Sequence, residues 1–321
     1  MKLFIGTVSK NTVDAVIEYA NEFNVKMGLI PSRRQVDYGG GYVNNWTTKT
    51  LSEYVRENTN NVIIERDHGG QDQGESDYLE SYMTDAKYFQ AIHIDPWKSS
   101  QYSLEAADKT VRNILYCEKM KQHPIWYEIG TEESIYRMET DFENWIKYIK
   151  DNLSEEVFNK INYIVVQSGT RLLGNTNIGQ FDEQRLRKMV EVANDFGLLT
   201  KIHNGDYLSM NEIKKHYEMV DAINIAPEFG YLETLTYLEY MHNGQFDRFY
   251  KICYESSQWK KWVDENFEPM HYKQKLVEIC GHYVFSTSEF QQIKKELEES
   301  WNIDNIIKKR LKKQIGYILN V

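Results

Sequence analysis

An acid and an imidazole stand side by side where a β-branched run ends. Val62-Ile63-Ile64 leads into Glu65, Arg66, Asp67 and His68, and Gly69-Gly70 follow. A carboxylate can move a proton and a neutral imidazole can ligate a divalent metal, the two functions that metal-assisted carbonyl chemistry needs. Adjacent side chains of an extended strand point to opposite faces, so both reach one site only if the chain turns there. The two glycines make such a turn plausible.

The same construction recurs along the chain. Arg33, Arg34 and Gln35 follow the second apolar run, and His93 and Asp95 end the fourth. Glu128 ends the fifth, with Glu132 and Glu133 just beyond, and Gln167 ends the sixth. His203 and Asn204 close the seventh; Asn224 and Glu228 mark the eighth. His68 and His203 are the favoured metal ligands, since each ends an apolar run with a glycine within two residues. His93 alternates with Ile92 and Ile94, so it is either a hydrogen-bonded interior histidine or part of a site. His123 precedes Pro124 in a loop, and His216, His242, His271 and His282 lie in helical segments; these read as structural. Arg33 and Arg34 form either a bidentate clamp for phosphate or carboxylate or a solvated loop pair. Gly39-Gly40-Gly41 reads as a mobile loop or as anion-binding backbone amides.

Eight short apolar runs, beginning at Lys2, Val25, Asn61, Ala91, Pro124, Ile161, Leu198 and Ala222, each precede a longer amphipathic stretch. Thr12–Phe23, Leu104–Lys121 and Asp182–Phe196 read as helices, the last with Asp182 as N-cap and Gly197 as stop. Alternating strand and helix implies a parallel sheet covered by helices. Eight such units fit an α/β fold of the (β/α)8 TIM-barrel type, whose usual size is ~250 residues. A doubly wound open sheet is the alternative, but Gly6-Thr7-Val8-Ser9 lacks its glycine-rich phosphate loop. The barrel is assigned to residues 1–242 and a helical C-terminal extension to 243–321, with helices at Phe246–Asn266, Met270–Cys280, Ser288–Glu299 and Ile303–Leu319. That extension could cap the barrel, close over the site or carry an oligomer contact.

A net charge of −10 argues against a nucleic-acid surface, which needs clustered cations. Lys308-Lys309-Arg310 with Lys312-Lys313 reads as a solvated helix face. Three irregularly spaced cysteines fit buried thiols in a reducing cytoplasm rather than a disulfide framework. No apolar run approaches the ~20 residues that span a bilayer. A soluble, cytoplasmic protein without a membrane partner is expected.

Seven blocks in order resemble one family. They are SRRQVDYGGGY (Ser32–Tyr42), ERDHGGQDQG (Glu65–Gly74), HIDPWKS (His93–Ser99), YEIGTEES (Tyr127–Ser134), VVQSGT (Val165–Thr170), KIHNGDYL (Lys201–Leu208) and the Ala226-Pro227 turn. The chain resembles the so-called non-catalytic subunit of class II D-tagatose-1,6-bisphosphate aldolase and, more broadly, the metal-dependent class II aldolases. The resemblance implies that Asp67 is the acid/base, with Glu128 or Asp95 as second candidates. It implies a divalent metal, zinc first, held by His68, His203 and Glu128, with Gln167 or water completing the shell. Arg33, Arg34, Gln35, His93, Asn204, Asn224 and Glu228 would face the substrate, a sugar or sugar phosphate. Two departures stand out: Gln167 occupies the place of a metal-binding histidine, and Asn204-Gly205-Asp206 replaces a Gly-Gly-Ser phosphate cradle. The implied activity is that of a ketose or ketose-phosphate aldolase or epimerase. The alternative is a non-catalytic partner that stabilises a class II aldolase catalytic subunit; a homo-oligomer is also open.

Overall fold

The computed structural model describes residues 1–131 and 138–320, without the side chains of 138–140, so Glu132 and Glu133 lie outside the described residues. Each of the eight apolar runs forms a strand. They are β1 (Leu3–Gly6), β2 (Met27–Ile30), β3 (Val62–Gly69), β4 (Ala91–Ile94), β5 (Trp126–Ile129), β6 (Ile161–Val165), β7 (Leu199–Ile202) and β8 (Ala222–Ile225). All pair in parallel, and β1 pairs with both β2 and β8, so the sheet closes into a barrel. Closure rules out the open doubly wound sheet. A short antiparallel hairpin, Leu172–Leu173 with Thr176–Asn177, decorates the loop after β6.

Strands β1, β2, β4 and β8 are buried along their whole length. Their inner faces fill the barrel and their outer faces meet helices, which is why they are continuous apolar runs rather than alternating ones. Inside, the Phe4 ring lies across Gly28, where an added Cβ would come within 2.1 Å of it. Phe4, Ile30, Tyr163 and Ala222 form a buried cluster distinct from the main core between barrel and helices. The Tyr163 hydroxyl donates to the Met1 carbonyl at 3.1 Å, which places this apolar plug at the N-terminal end of the barrel. Polar interior residues therefore gather towards the other end.

Local signals set the helices. Ser9 caps Lys10–Phe23 by accepting from the Thr12 N–H, and Asp182 caps Glu183–Asp195 by accepting from the Arg185 N–H at 3.0 Å. Gly197, at φ +73, takes the left-handed turn that ends the latter. In the C-terminal region the single helix expected over 246–266 is instead Asn243–Ser256 followed by a 3-10 turn, Gln258–Trp262. The Ser256 hydroxyl donates to the Cys253 carbonyl and accepts from the Gln258 N–H, and Ser257 turns left-handed at φ 57. Serines that bond the local backbone compete with helix propagation. The last helix, Ile303–Leu319, buries Ile303, Ile307, Leu311, Ile315 and Ile318 along one stripe. It packs on Lys10–Phe23 and Pro227–Tyr240. Its basic run is not merely solvated: Lys308 pairs with Glu18, Lys312 with Glu22 and Arg310 with Glu239, tying the extension to the barrel helices. Cys117, Cys253 and Cys280 are buried and unbridged, and among the described residues no helix is long and apolar enough to cross a membrane.

Candidate active site

Asp67 and His68 reach the same side through a bulge in β3. Arg66 pairs with Ile92 of β4, but the next pair is Gly69 with Ile94, so three steps on β3 answer two on β4. His68 absorbs the extra residue in the left-handed region at φ 45. The neighbouring glycines are needed for a close approach rather than only for a turn. A Cβ on Gly69 would lie 2.7 Å from the His93 carbonyl oxygen, and one on Gly70 would lie 2.8 Å from that of Asp95. Arg66, fully buried, anchors the bulge by a bidentate pair with Asp85, both bonds 2.7 Å long.

Four side chains then converge: Asp67, His68, His93 and His203 offer ligand atoms that all lie within 4.8 Å of one another. The imidazoles are oriented from behind. His68 Nδ1 donates to Asp95 Oδ2 at 2.7 Å, His93 Nε2 to the Gly130 carbonyl at 2.9 Å, and His203 Nε2 to Glu128 Oε1 at 2.9 Å. Carbonyl and carboxylate oxygens only accept, so these contacts fix each tautomer and leave the other ring nitrogen turned inward. Those inner nitrogens lie 3.7, 3.9 and 4.0 Å from Asp67 Oδ1, for His68, His93 and His203 respectively, and that of His93 also accepts from the His68 N–H at 3.3 Å. Asp67 Oδ1 is buried and has no hydrogen-bond partner. Burial opposes ionisation of Asp67, but the three imidazoles outweigh it and hold the carboxyl below its ordinary range.

Beneath His203 lies a charge cluster that the motif reading passed over. The Lys201 ammonium, fully buried, donates to Glu65 Oε2 at 2.7 Å, pairs with Glu128, and stands 3.7 Å from the Phe4 ring centroid. Burial opposes charge on Glu128, yet Lys201, His93 and His203 hold its carboxyl well below the usual range. Burial pushes Glu65 the other way, well up, against the attraction of Lys201. One ammonium thus stands between two buried carboxyl groups that shift in opposite directions. The sequence held a signal for this: Lys201 stands two residues before His203 and so shares its strand face.

The other expected site residues divide. Asp95 accepts from the Gln73 amide at 2.8 Å as well as from His68, so it orients rather than stands ready for protons. Gln167 accepts from Arg185 at 2.5 Å. Arg33 is committed to Asp37 and to the carbonyls of Gly70 and Ser76, stitching the β2 loop to the β3 loop. Gln35 accepts from the Ser32 N–H, and Glu228 from the Tyr207 N–H and the Gln314 amide. Asn204 sits at φ 56, its carbonyl accepting from Asn177. Asn224 is buried with both amide atoms unpartnered. Arg34 is exposed and lines a cavity of about 660 Å³ at the mouth of the barrel. The cavity is walled by the loops after β1, β2, β3 and β8 and by the C-terminal segment, and it adjoins the cluster through Ser32, which bridges to Asp67.

Comparison with known proteins gives a likeness in fold. A probable tagatose 6-phosphate kinase from Sinorhizobium meliloti superposes with a TM-score of 0.74 at 15% identity, covering 93% of this chain and 86% of that one. A fructuronate-tagaturonate epimerase from Cohnella laeviribosi gives 0.66 at 11% identity, covering 100% and 80%. An aldolase from Escherichia coli gives 0.54 at 12% identity, covering 91% and 90%. No family model and no curated protein sequence matches the chain. Its architecture is thus a TIM barrel whose structural neighbours are described as sugar-metabolising proteins.

Proposed function

We propose that this chain is a metal-dependent enzyme acting on a ketose or ketose phosphate, as an aldolase or epimerase. The observation that carries this reading is Asp67 Oδ1, a buried and unpartnered carboxylate oxygen faced by three imidazoles whose outer nitrogens are each committed to an oxygen. A divalent metal fits this donor set, and three imidazoles beside a carboxylate suit zinc and its first-row neighbours. His68, His93 and His203 would hold it. Bound there, it supplies Lewis-acid stabilisation of the charge that develops on a substrate carbonyl oxygen.

The chain's own residues do the rest. Asp67, kept ionised, accepts the proton of the substrate hydroxyl next to the bond that breaks and returns it on the reverse path. Asp95, the Gly130 carbonyl and Glu128 hold the three rings in place, which gives Asp95 and Glu128 an orienting role. Asn224 offers an unpartnered donor and acceptor to the hydroxyls of a sugar. The aldolase and epimerase among the structural neighbours agree with this chemistry. One observation favours the second reading, a non-catalytic stabilising subunit: the Gln167 amide oxygen is engaged by Arg185. Metal analysis of the purified protein, with a ketose-phosphate and uronate screen followed by NMR, separates the two. About one equivalent of metal with turnover supports the enzyme; no metal and no turnover, with co-purification of a second barrel subunit, supports the partner.

A further inference from the structure

We infer that the C-terminal extension completes an oxyanion subsite, in which Lys261 and Arg34 hold the terminal phosphate or carboxylate of the substrate. The inference rests on the reading of the histidine cluster as the reacting end of a sugar site. It begins with the wall of the mouth cavity. Lys261, Trp262 and Tyr283 come from the extension, Arg34 from the β2 loop, and all four line the same space. Trp262 Nε1 donates to the Tyr283 hydroxyl at 3.2 Å, which fixes the aromatic wall. The Lys261 ammonium rests 4.2 Å from the Tyr283 ring centroid.

The two cations differ from the paired basic residues of the last helix. Lys308, Arg310 and Lys312 all reach carboxylates, whereas Lys261 and Arg34 form no ion pair with any described residue. Of the acids in the wall, Asp37 is taken by Arg33 and Ser76, and Glu75 stands exposed. Cavity walls crowd Lys261 although its side chain keeps contact with solvent. That enclosure, then repulsion from Arg34 and from Lys98 on the β4 loop, lowers its ammonium to about 8. Like charges gathered in a concave site repel, and an anionic ligand relieves that repulsion. The Arg34 guanidinium adds a planar fork that matches phosphate or carboxylate.

Topology supplies the distance argument. Strands β2 and β4 flank β3 in the barrel, so Arg34 and Lys98 follow the strands on either side of the one whose end carries Asp67 and His68. A cavity of about 660 Å³ suits a single sugar with a charged end. The subsite and the cluster would then grip opposite ends of one open-chain ketose.

Titration calorimetry on the full-length protein, with inorganic phosphate and separately with acetate, tests this directly. We expect saturable binding of one or both anions, phosphate alone pointing to a ketose phosphate and acetate alone to a ketose acid. Lys261→Gln or Arg34→Gln should weaken it about ten-fold or more, the loss of one charge-assisted hydrogen bond. Neither side chain holds an ion pair, so thermal midpoints and metal content should stay at the wild-type values. Binding undiminished in both variants, or no saturable binding of either anion, overturns the proposal. Anion binding in protein stripped of metal by a chelator reads the subsite even if the catalytic reading fails.

Discussion

Replacing Lys201 by methionine keeps an unbranched side chain, one atom shorter, but removes the charge that faces two buried carboxyl groups. Lys201, Glu65 and Glu128 are each 1% exposed or less, so the stranded acids have no water to turn to. Removing one partner of a buried pair costs about 3–5 kcal/mol. At roughly 2 °C per kcal/mol for a large domain, Lys201→Met should lower the unfolding midpoint by about 6–10 °C. The sign with pH follows from the shifts. In the wild type the Glu128 carboxyl is depressed, so its contribution is present above the unfolded value and lost as pH falls through the folded one. Without Lys201 both acids are raised by burial, and their contribution is then lost as pH rises. The penalty of the variant should therefore grow from pH 4 to pH 7.5. Scanning calorimetry on wild type, Lys201→Met, Glu65→Gln and Lys201→Met/Glu128→Gln gives the coupling. Glu65→Gln keeps an oxygen acceptor for the Lys201 ammonium and should cost less than Lys201→Met. The double variant should recover part of the loss. A shift below about 2 °C for Lys201→Met, or a penalty flat with pH, refutes the charge-balance argument.

Plasma emission analysis of His68→Ala, His93→Ala and His203→Ala should each find metal reduced to a small fraction of an equivalent, with Gln167→Ala keeping the wild-type content. Glu128→Gln should weaken metal binding by about 10–100-fold, the usual cost of losing the group behind a ligating histidine, as measured by competition with a chelator. Gly70→Ala forces a side chain onto φ +146 and to 2.8 Å from the Asp95 carbonyl, so it should cost about 1–3 kcal/mol in chemical denaturation; an unchanged midpoint contradicts the bulge argument. Burial, with repulsion from Glu228, pushes Asp206 up to about 8. A raised acid stabilises below its unfolded value of about 4 and loses that contribution as pH rises through the folded value. The melting temperature should thus fall between pH 6 and 8, and Asp206→Asn, which keeps an acceptor for the Ala226 and Glu228 N–H groups, should flatten the fall.

Much of this molecule was legible in its sequence, because strand and helix periodicity is local. Each of the eight apolar runs became a barrel strand, and the cap at Asp182 and stop at Gly197 fell where their chemistry placed them. The helix expected across Ser256 and Ser257 broke because a serine hydroxyl found the backbone, a competition that hydrophobic spacing does not register. Strand ends pointed to the region where Asp67 and three histidines gather but not to their partners. His93 looked as much like an interior residue as a site member; it is fully buried, with one nitrogen on the Gly130 carbonyl and the other accepting from the His68 N–H, 3.9 Å from Asp67. Glu128 was expected beside the metal, whereas the structure sets it behind His203 and against Lys201.

Residue order alone therefore determined that Asp67 and His68 would stand at the C-terminal end of a barrel strand, since alternation and turn chemistry act over a few residues. Tertiary structure decided which atoms meet. Barrel closure sets the angular order in which distant strands present their ends, and a one-residue bulge chooses the face on which adjacent side chains emerge. The atom behind each imidazole, drawn from another strand or loop, settles which nitrogen faces the site. None of these is a property of spacing along the chain.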